Sequence, residues 1–339
     1  MKAAVLVEGS QVRVEEVDEP VADGWALVSA RAAGVCGTEL HFLDGMIPPP
    51  HDRFVLGHES AGVVLEVPEG TALEAGDRVA VYNVVGCGRC RQCRIGRESL
   101  CVAPVGQLGF SLDGGFADVV RAPASNLIPI PESVSFETAA VLACSGMSVV
   151  HASRLAAIAV GETVVVNGIG GVGLMAVQVA LACGARVIAV ADSANKAKLA
   201  AELGAAEVVV LEEDTGYESL PDRVRELTGG AGADHYIELV GTEQTFAAGI
   251  RSLGRRGKLV IIGYTDEHLN VHPIELILSE IQVVTSVAAS RRDLETAIQL
   301  SADGRLKVTI DTRYPLAEIG TALDRLRARQ VRGRNVVVW

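Results

Sequence analysis

A glycine-rich turn between a predicted strand and a predicted helix constrains the fold of this 339-residue chain most strongly. The stretch Val164–Gly173 has the sequence VVVNGIGGVG, so a run of β-branched residues leads directly into glycines. The residues that follow, to Cys183, have the apolar character and length of a helix. A strand, a tight turn and a helix in this order begin a βαβ unit, which requires a parallel sheet.

Predicted strands and helices continue to alternate beyond this turn. Apolar runs such as VVV and VIAV fit strands that are covered on both faces. The sequence therefore predicts an α/β fold with a doubly wound parallel sheet over residues 150–304. The predicted strands are Thr163–Asn167, Arg186–Ala191, Val208–Leu211, His235–Val240 and Lys258–Ile262, and the predicted helices are Gly171–Cys183, Lys196–Leu203 and Asp222–Leu227.

The first part of the chain, to roughly Ala143, has a different pattern of short β-like runs and turns. Examples of these runs are Ala26–Val28, Gly62–Val67, Arg78–Val81 and Phe116–Val120. They predict a mostly β domain with long loops. The tail is predicted to form a helix and a final strand that return to this domain. The predicted domains are therefore 1–149 with 305–339, and 150–304.

The net charge and the apolar segments limit the classes of partner that the chain could bind. A formal net charge of −12 argues against a nucleic acid or an anionic membrane surface, since both attract basic proteins. The N-terminal residues show no charged leader followed by a long apolar core, so we expect a cytoplasmic protein. The apolar stretch Gly168–Ala185 is long enough to suggest a membrane helix, but its clustered glycines favour a domain core.

Each glycine of the turn has a role if a dinucleotide binds there. Gly168 permits the tight turn, Gly170 lets the backbone approach a pyrophosphate, and Gly173 lets helix and strand pack closely. Gly171 and Val172 lie at the helix N-terminus, where unpaired N–H groups can bind phosphate. Asp192, after the second predicted strand, is the candidate for the adenosine ribose. The alternatives are a turn without a ligand and an ordinary exposed loop aspartate.

Four of the seven cysteines lie in one short segment, Cys87-x2-Cys90-x2-Cys93-x7-Cys101. Four thiolates can complete a tetrahedral shell that has no open position for chemistry, so we predict a structural zinc site. Disulfides and an iron–sulfur cluster are the alternatives, and disulfides are disfavoured without a secretory signal.

A second group of metal-binding residue types is dispersed along the chain: Cys36, His58, Glu59 and Cys144. Their surroundings are GVCGTELH at Gly34–His41, GHESAG at Gly57–Gly62 and LACSG at Leu142–Gly146. Together with the cysteine segment and the glycine turn, these motifs resemble the zinc-containing alcohol dehydrogenases of the medium-chain dehydrogenase/reductase superfamily. The matches occur in the family's order and cover essentially the whole chain. They are specific for the superfamily and much less so for a substrate.

The resemblance implies a fold and an activity. It implies a GroES-like catalytic domain, split in sequence around a Rossmann domain, and a homo-oligomer, either dimer or tetramer. It also implies hydride transfer between a small alcohol, or its carbonyl form, and a nicotinamide cofactor.

The resemblance further implies roles for individual residues. Cys36, His58 and Cys144 would hold a catalytic zinc, a Lewis acid, and Glu59 would be an alternative ligand. Thr38 and His41 would form a proton relay that includes cofactor ribose hydroxyls. Arg334 would reach the cofactor pyrophosphate. With the structural site at Cys87, Cys90, Cys93 and Cys101, the expected content is two zinc ions per chain.

Two positions depart from the family pattern. Ala191 stands where the family usually has its NAD-selecting acid, and Asp192 follows one residue later. We expect NAD, with NADP left open. Asn83 stands where a bulky pocket residue is usual, which predicts either a site for a functionalised substrate or a loop hydrogen bond.

Two other functions fit the same scaffold. One is an NAD(P)H-dependent reductase of an activated C=C bond, although such relatives often need no catalytic zinc. The other is a non-catalytic binding protein, which the combined presence of the ligand and relay residues disfavours.

Overall fold

The computed structural model describes residues 1–8, 10–211 and 216–339. These residues form two compact units, which we describe separately. The first comprises residues 1–147, 289–304 and 308–339, and the second comprises residues 148–288 and 305–307. The predicted domain boundaries stay a prediction, and the compact units differ from them mainly at 289–304.

The first unit is mostly β. Its strands are β1 (Lys2–Val7), β2 (Gln11–Glu16), β3 (Ala26–Val35), β4 (Arg53–Val55), β5 (Ser60–Glu66), β6 (Arg78–Val81), β7 (Val84–Val85), β8 (Gly106–Gln107), β9 (Val119–Ala122), β10 (Leu127–Pro129), β17 (Ile310–Pro315) and β18 (Arg334–Val338). Its helices are α1 (Gly37–Leu43), α2 (Arg91–Arg94), α3 (Phe136–Val141), α10 (Arg291–Ala302) and α11 (Ile319–Arg327).

The main sheet of this unit has the strand order β10-β6-β5-β3-β18-β17, and β9 also pairs with β3. Smaller sheets have the orders β2-β1-β4 and β7-β8. Strand β18 pairs antiparallel with β3, so the tail lies in the first unit. Buried Phe42, Phe54 and Phe116 pack in the core beside the aliphatic faces of these strands.

Helix α10 belongs to the first unit because its apolar face packs there. A methyl group built at Gly146 would lie 3.3 Å from the Cβ of Ala297 on α10, so the glycine permits this close approach. The helix begins at a capping box, in which Ser290 Oγ accepts the N–H of Asp293.

The second unit is a parallel α/β layer structure. Its strands are β11 (Thr163–Asn167), β12 (Arg186–Ala191), β13 (Glu207–Val210), β14 (Ala233–Glu238), β15 (Leu253–Ile261) and β16 (Gln282–Thr285). Its helices are α4 (Met147–Ala156), which begins at the last residue of the first unit, α5 (Gly171–Ala182), α6 (Ala194–Glu202), α7 (Leu220–Leu227), α8 (Glu243–Ser252) and α9 (Pro273–Ile277).

The sheet of the second unit has the order β13-β12-β11-β14-β15-β16, and its pairs are parallel. This is the 3-2-1-4-5-6 order of a doubly wound dinucleotide fold, in which ligands bind at the carboxyl ends of the strands. The predicted fold class is confirmed. Strands β11 and β12 have the predicted bounds, whereas β16 was not predicted because its residues are mostly exposed and lack a long apolar run.

One helix among the described residues is long and apolar enough to cross a membrane by length and composition, Phe136–Ala156, which joins α3 and α4. Most of it is buried within the protein, as in the core helix of a globular domain. The apolar stretch Gly168–Ala185 instead contains the 12-residue helix α5, which is too short to span a bilayer.

Candidate active site and metal centres

The four-cysteine segment folds into a compact lobe that brings its thiols together. Cys87 follows β7, Cys90 and Cys93 flank and enter α2, and Cys101 ends a short 3₁₀ turn. The Sγ atom of Cys90 lies 3.6 Å from that of Cys93 and 3.9 Å from that of Cys101. Sulfur ligands at about 2.3 Å from a tetrahedral zinc ion would be about 3.8 Å apart. The four thiols therefore fit such an ion.

Backbone N–H groups in this lobe face the cysteine sulfur atoms and stabilise their thiolate forms. The N–H of Cys87 faces the Sγ of Cys101 at 3.3 Å, and the N–H of Cys90 faces the Sγ of Cys87 at 3.4 Å. Hydrogen bonds from the N–H groups of Cys93 and Val102 lower the pKa of Cys90 to about 6. Since the thiolate is the form that binds metal, these donors favour the ligand state.

The dispersed second group also converges, although its members come from three separate segments. Cys36 follows β3, His58 and Glu59 precede β5, and Cys144 lies in a π-helical turn, Leu142–Gly146, between α3 and α4. One donor atom of each lies within 4.8 Å of the others. The Nε2 of His58 is 3.3 Å from the Sγ of Cys144. Two thiolates and one imidazole fit a catalytic zinc, since they leave a fourth position open.

The two thiols of this group, Cys36 and Cys144, share a hydrogen bond in the buried site. Hydrogen bonding from Cys144 holds the pKa of the Cys36 thiol well below its ordinary value. The same contact, with burial, raises the pKa of Cys144. This contact therefore favours one thiolate within the buried pair.

Glu39 is a site residue that the sequence analysis missed. Its side chain is 1% exposed, its Oε1 lies 2.7 Å from the Nδ1 of His58, and its Oε2 accepts the N–H of Cys36 at 2.8 Å. One carboxylate thus orients two proposed ligands. Its position three residues after Cys36, in the first turn of α1, was the available signal, because an acid there reaches back to the helix start.

Glu59 and Arg334 form a buried ion pair next to the proposed zinc ligands. The Nη2 of Arg334 donates to the Oε1 of Glu59, and the Oε1 of Glu59 lies 3.9 Å from the Nε2 of His58. Burial raises the pKa of Glu59 to about 7, although Arg334 lowers it. The Oε2 of Glu59 and the Nε of Arg334 have no protein partner among the described residues. The roles of Glu59 as a ligand and of Arg334 toward pyrophosphate stay predictions.

The predicted relay residues lie on one helix beside Cys36. The Oγ1 of Thr38 is 3.8 Å from the Sγ of Cys36. His41 is three residues further along α1, so it shares a helix face with Thr38. Both side chains are partly exposed. This arrangement suits a path from the ligand cluster toward solvent.

The glycine turn of the second unit has the shape of a phosphate cradle. Gly168 has φ of +97°, which favours glycine, and a Cβ at Gly173 would lie 2.1 Å from the carbonyl oxygen of Gly168. A Cβ at Gly170 would meet no described protein atom within 4 Å. Helix α5 begins at Gly171, and no described side chain caps it. Its N–H groups are thus available to phosphate, and the turn fits a dinucleotide.

Asp192 directly follows β12, at the edge where the sheet would bind a ribose. Its Oδ2 accepts the Nζ of Lys196 at 2.7 Å, and its side chain is 51% exposed. The carboxylate is therefore accessible but already paired with a lysine one helical turn away.

Asn83 is a buried loop hydrogen-bonder. Its Nδ2 donates to the backbone oxygen of His58 at 3.1 Å, and the Nε2 of Gln107 approaches its Oδ1 at 3.5 Å. Of the two predictions for Asn83, the loop hydrogen bond matches these contacts.

Comparisons with known proteins agree with this geometry. The family described as "Alcohol dehydrogenase GroES-like domain" matches residues 22–132, and that described as "Zinc-binding dehydrogenase" matches residues 171–303. An alcohol dehydrogenase of Geobacillus stearothermophilus is 35% identical over 342 residues, covering 99% of each chain. An acryloyl-coenzyme A reductase of Metallosphaera sedula is 33% identical over 340 residues, covering 98% of each.

The solved structure of an alcohol dehydrogenase from Aeropyrum pernix superimposes with a TM-score of 0.92, at 34% identity and over 100% of both chains. The likeness spans both compact units. The chain belongs to the zinc-containing alcohol dehydrogenase family of the medium-chain dehydrogenase/reductase superfamily, whose members combine a GroES-like domain with a Rossmann domain.

Proposed function

We propose that this chain oxidises a small alcohol with NAD, or runs the reverse reduction, and that it holds two zinc ions. The observation that carries the proposal is the convergence of Cys36, His58 and Cys144, from three distant segments, beside Thr38. A merely structural metal site would use a closed shell of four ligands, as the cysteine lobe does. The three-ligand set instead leaves a position for substrate.

The residues around Cys36, His58 and Cys144 have separate roles in the proposed reaction. Cys36, His58 and Cys144 would hold the metal, and zinc bound there supplies Lewis-acid chemistry that favours loss of an alcohol's hydroxyl proton. Glu39 orients the imidazole of His58. Thr38 accepts the proton at its hydroxyl oxygen and gives up its own hydroxyl proton in turn, and the imidazole of His41, three residues further along α1, passes a proton to bulk water. The four-cysteine lobe has a structural role.

The cofactor in this proposal is NAD rather than NADP. An exposed carboxylate at Asp192 can accept hydrogen bonds from ribose hydroxyls and repel a 2′-phosphate. Lys196 partly neutralises that carboxylate by donating to its Oδ2. Alcohol dehydrogenases described as NAD-dependent, from Sulfurisphaera tokodaii among others, are 33% identical to this chain.

A second candidate function is reduction of an activated C=C bond. An acryloyl-coenzyme A reductase is 33% identical to this chain, and this identity supports the second candidate function. The convergent ligand set favours the alcohol reaction, because polarising a hydroxyl or carbonyl oxygen is the task for which an open zinc position is suited.

We further propose a cytoplasmic homo-oligomer, either dimer or tetramer. Strand β16 ends the sheet of the second unit, with one edge unpaired among the described residues, and Ile277, Leu278 and Val287 near it are more than half exposed. An exposed edge with apolar side chains favours pairing with another chain.

The test combines a metal count with a cofactor titration. Elemental analysis of metal-replete protein is expected to give two zinc ions per chain, and NADH fluorescence should report saturable binding. One zinc per chain would contradict the proposal that both sites hold zinc. Two zinc ions with consumption of NADPH by enones or enoyl thioesters, and no reaction with any alcohol or carbonyl, would favour the second candidate function.

A further inference from the structure

A buried carboxylate lies at the carboxyl edge of the sheet in the second unit, away from both cysteine clusters in sequence. Glu238 is the last residue of β14 and is 0% exposed. Its Oε1 accepts the N–H groups of Val240 at 2.7 Å and Gly241 at 2.8 Å, and its Oε2 accepts the Nδ2 of Asn167 at 2.9 Å. These donors are neutral, so the carboxylate is held by hydrogen bonds rather than by an ion pair among the described residues.

Such a group is costly unless its hydrogen bonds are complete. Moving a charge out of water is unfavourable, and burial accordingly raises the pKa of Glu238. An apolar side chain would fill the same space in a sheet interior without this cost. Packing alone therefore does not explain a carboxylate at this position, and its hydrogen-bond partners indicate another role.

The partners of Glu238 join two turns that follow neighbouring strands. Asn167 is the last residue of β11 and directly precedes Gly168 of the glycine turn. It is 0% exposed, and its Oδ1 accepts the hydroxyl of Tyr217 at 3.0 Å. Val240 and Gly241 belong to the turn after β14. One hydrogen-bond network, from Tyr217 through Asn167 to Glu238 and these N–H groups, thus spans the carboxyl ends of β11 and β14.

The two turns also touch each other directly. A Cβ at Gly168 would lie 3.0 Å from the Cγ2 of Val240, so the turn after β14 supports the glycine turn. A Cβ at Gly241 would lie 2.5 Å from the Cα of Tyr264, which fixes the other side of that turn. A displacement of residues 239–241 would therefore displace the start of the phosphate cradle.

We propose that Glu238 is a positioning residue, which with Asn167 holds the glycine turn and the Leu239–Gly241 turn in the geometry that binds the dinucleotide. This inference rests on the proposed function, since it presumes dinucleotide binding at Gly168–Gly173. Glu238 does not need to touch the cofactor. It removes the cost of ordering the two turns at the moment of binding, which strengthens affinity by preorganisation.

The order of donors and acceptors in this network can be tested by exchanging the carboxylate of Glu238 and the amide of Asn167. In Glu238→Gln, a side-chain N–H would face the N–H of Asn167. If Asn167 flips to accept it, the hydroxyl of Tyr217 loses its acceptor. The reversed pair, Asn167→Asp with Glu238→Gln, restores an acceptor for each donor. The new carboxylate can accept from both the introduced amide and Tyr217, while the oxygen of that amide keeps the two backbone N–H groups.

The experiment measures the dissociation constant for NADH by fluorescence titration, at a temperature well below the melting temperature of each variant. Glu238→Gln and Asn167→Asp alone are each expected to weaken binding about tenfold, and the reversed pair to return within about threefold of the unaltered chain, since coupled neighbours show strong non-additivity. Glu202→Gln, on the exposed surface of α6, is the matched control for a lost negative charge.

The affinities and melting temperatures of these variants distinguish a positioning role of the network from a purely structural one. Unchanged affinity in both single variants, or a reversed pair that binds no better than the single variants, would overturn the positioning role. Lower melting temperatures with unchanged affinity would make the network structural only. If the single variants do not fold, Tyr217→Phe serves instead: weaker binding by about threefold is expected, since one buried hydrogen bond of the network is lost, and unchanged affinity would overturn the inference. Absence of NADH binding in the unaltered chain would overturn the proposed function and this inference with it.

Discussion

The Oε1 of Glu39 lies 2.7 Å from the Nδ1 of His58, so the Nε2 of that imidazole is the nitrogen left to face Cys144. A carboxylate behind a ligating histidine fixes its orientation and raises its basicity. We expect Glu39→Ala to weaken zinc affinity at the Cys36, His58 and Cys144 site about 10–100-fold. Competition with a chromophoric chelator measures this affinity.

The lobe zinc is the internal control for that measurement, since Glu39 contacts none of Cys87, Cys90, Cys93 or Cys101 among the described hydrogen bonds. Glu39→Gln keeps one acceptor and should fall between the unaltered chain and Glu39→Ala. Equal loss of both zinc ions would mean that Glu39 supports the fold rather than His58.

Cys101→Ser tests the structural assignment of the lobe. Losing one ligand from a closed shell should lower the folding yield and the melting temperature, because metal binding in such a lobe is coupled to folding. The folded fraction should keep near-normal turnover per catalytic zinc. Cys183→Ser is the matched control, since Cys183 lies at the end of α5 outside both clusters. A fully stable but inactive Cys101→Ser protein would contradict the assignment.

His41→Ala tests the end of the proton relay. Without an imidazole at this position, alcohol oxidation should slow most near and below neutral pH, where proton release to water is hardest. The loss should be at or below the low end of general acid–base effects, about 10²-fold. Imidazole or amine buffers should partly restore the rate, and the pH–rate profile is the measurement. An unchanged profile would show that His41 takes no part.

Asp192→Ala tests cofactor selection. The unaltered chain should prefer NAD in kcat/KM, and removal of the carboxylate should narrow the gap to NADP, because the repulsion of the 2′-phosphate is lost and Lys196 is released from its ion pair. Lys196→Ala is the complementary variant and should widen the preference for NAD. A clear NADP preference in the unaltered chain, or unchanged discrimination in Asp192→Ala, would make Asp192 an ordinary surface acid.

Periodicity predicted the second unit well. Strands β11 and β12 have the bounds that their β-branched runs indicate, and the glycine turn lies between β11 and α5 as its spacing requires. Local patterns are strong there because β11 and β12 are apolar and buried along nearly their whole length. They did not indicate β16, because an exposed edge strand depends on distant contacts.

The residues of the candidate active site also differ in whether the sequence alone indicated them. The proposed ligand residues could be singled out because thiols and imidazoles in the family's order are rare signals. The carboxylates that orient or adjoin them were harder to assign from the sequence. Glu39 with His58, the Glu59–Arg334 pair and the Asn167–Glu238 pair join residues 19, 275 and 71 positions apart, and nothing in a linear pattern indicates such contacts.

Zinc dependence of alcohol-driven NAD reduction tests the central claim most directly. The measurement follows the absorbance of reduced nicotinamide with a panel of primary and secondary alcohols, before chelation, after chelation and after zinc is restored. We expect at least one alcohol to reduce NAD, chelation to abolish the signal, and zinc to restore it. Reduction of NAD that survives complete removal of zinc, or no reaction with any alcohol or carbonyl by protein that holds two zinc ions, would contradict the claim.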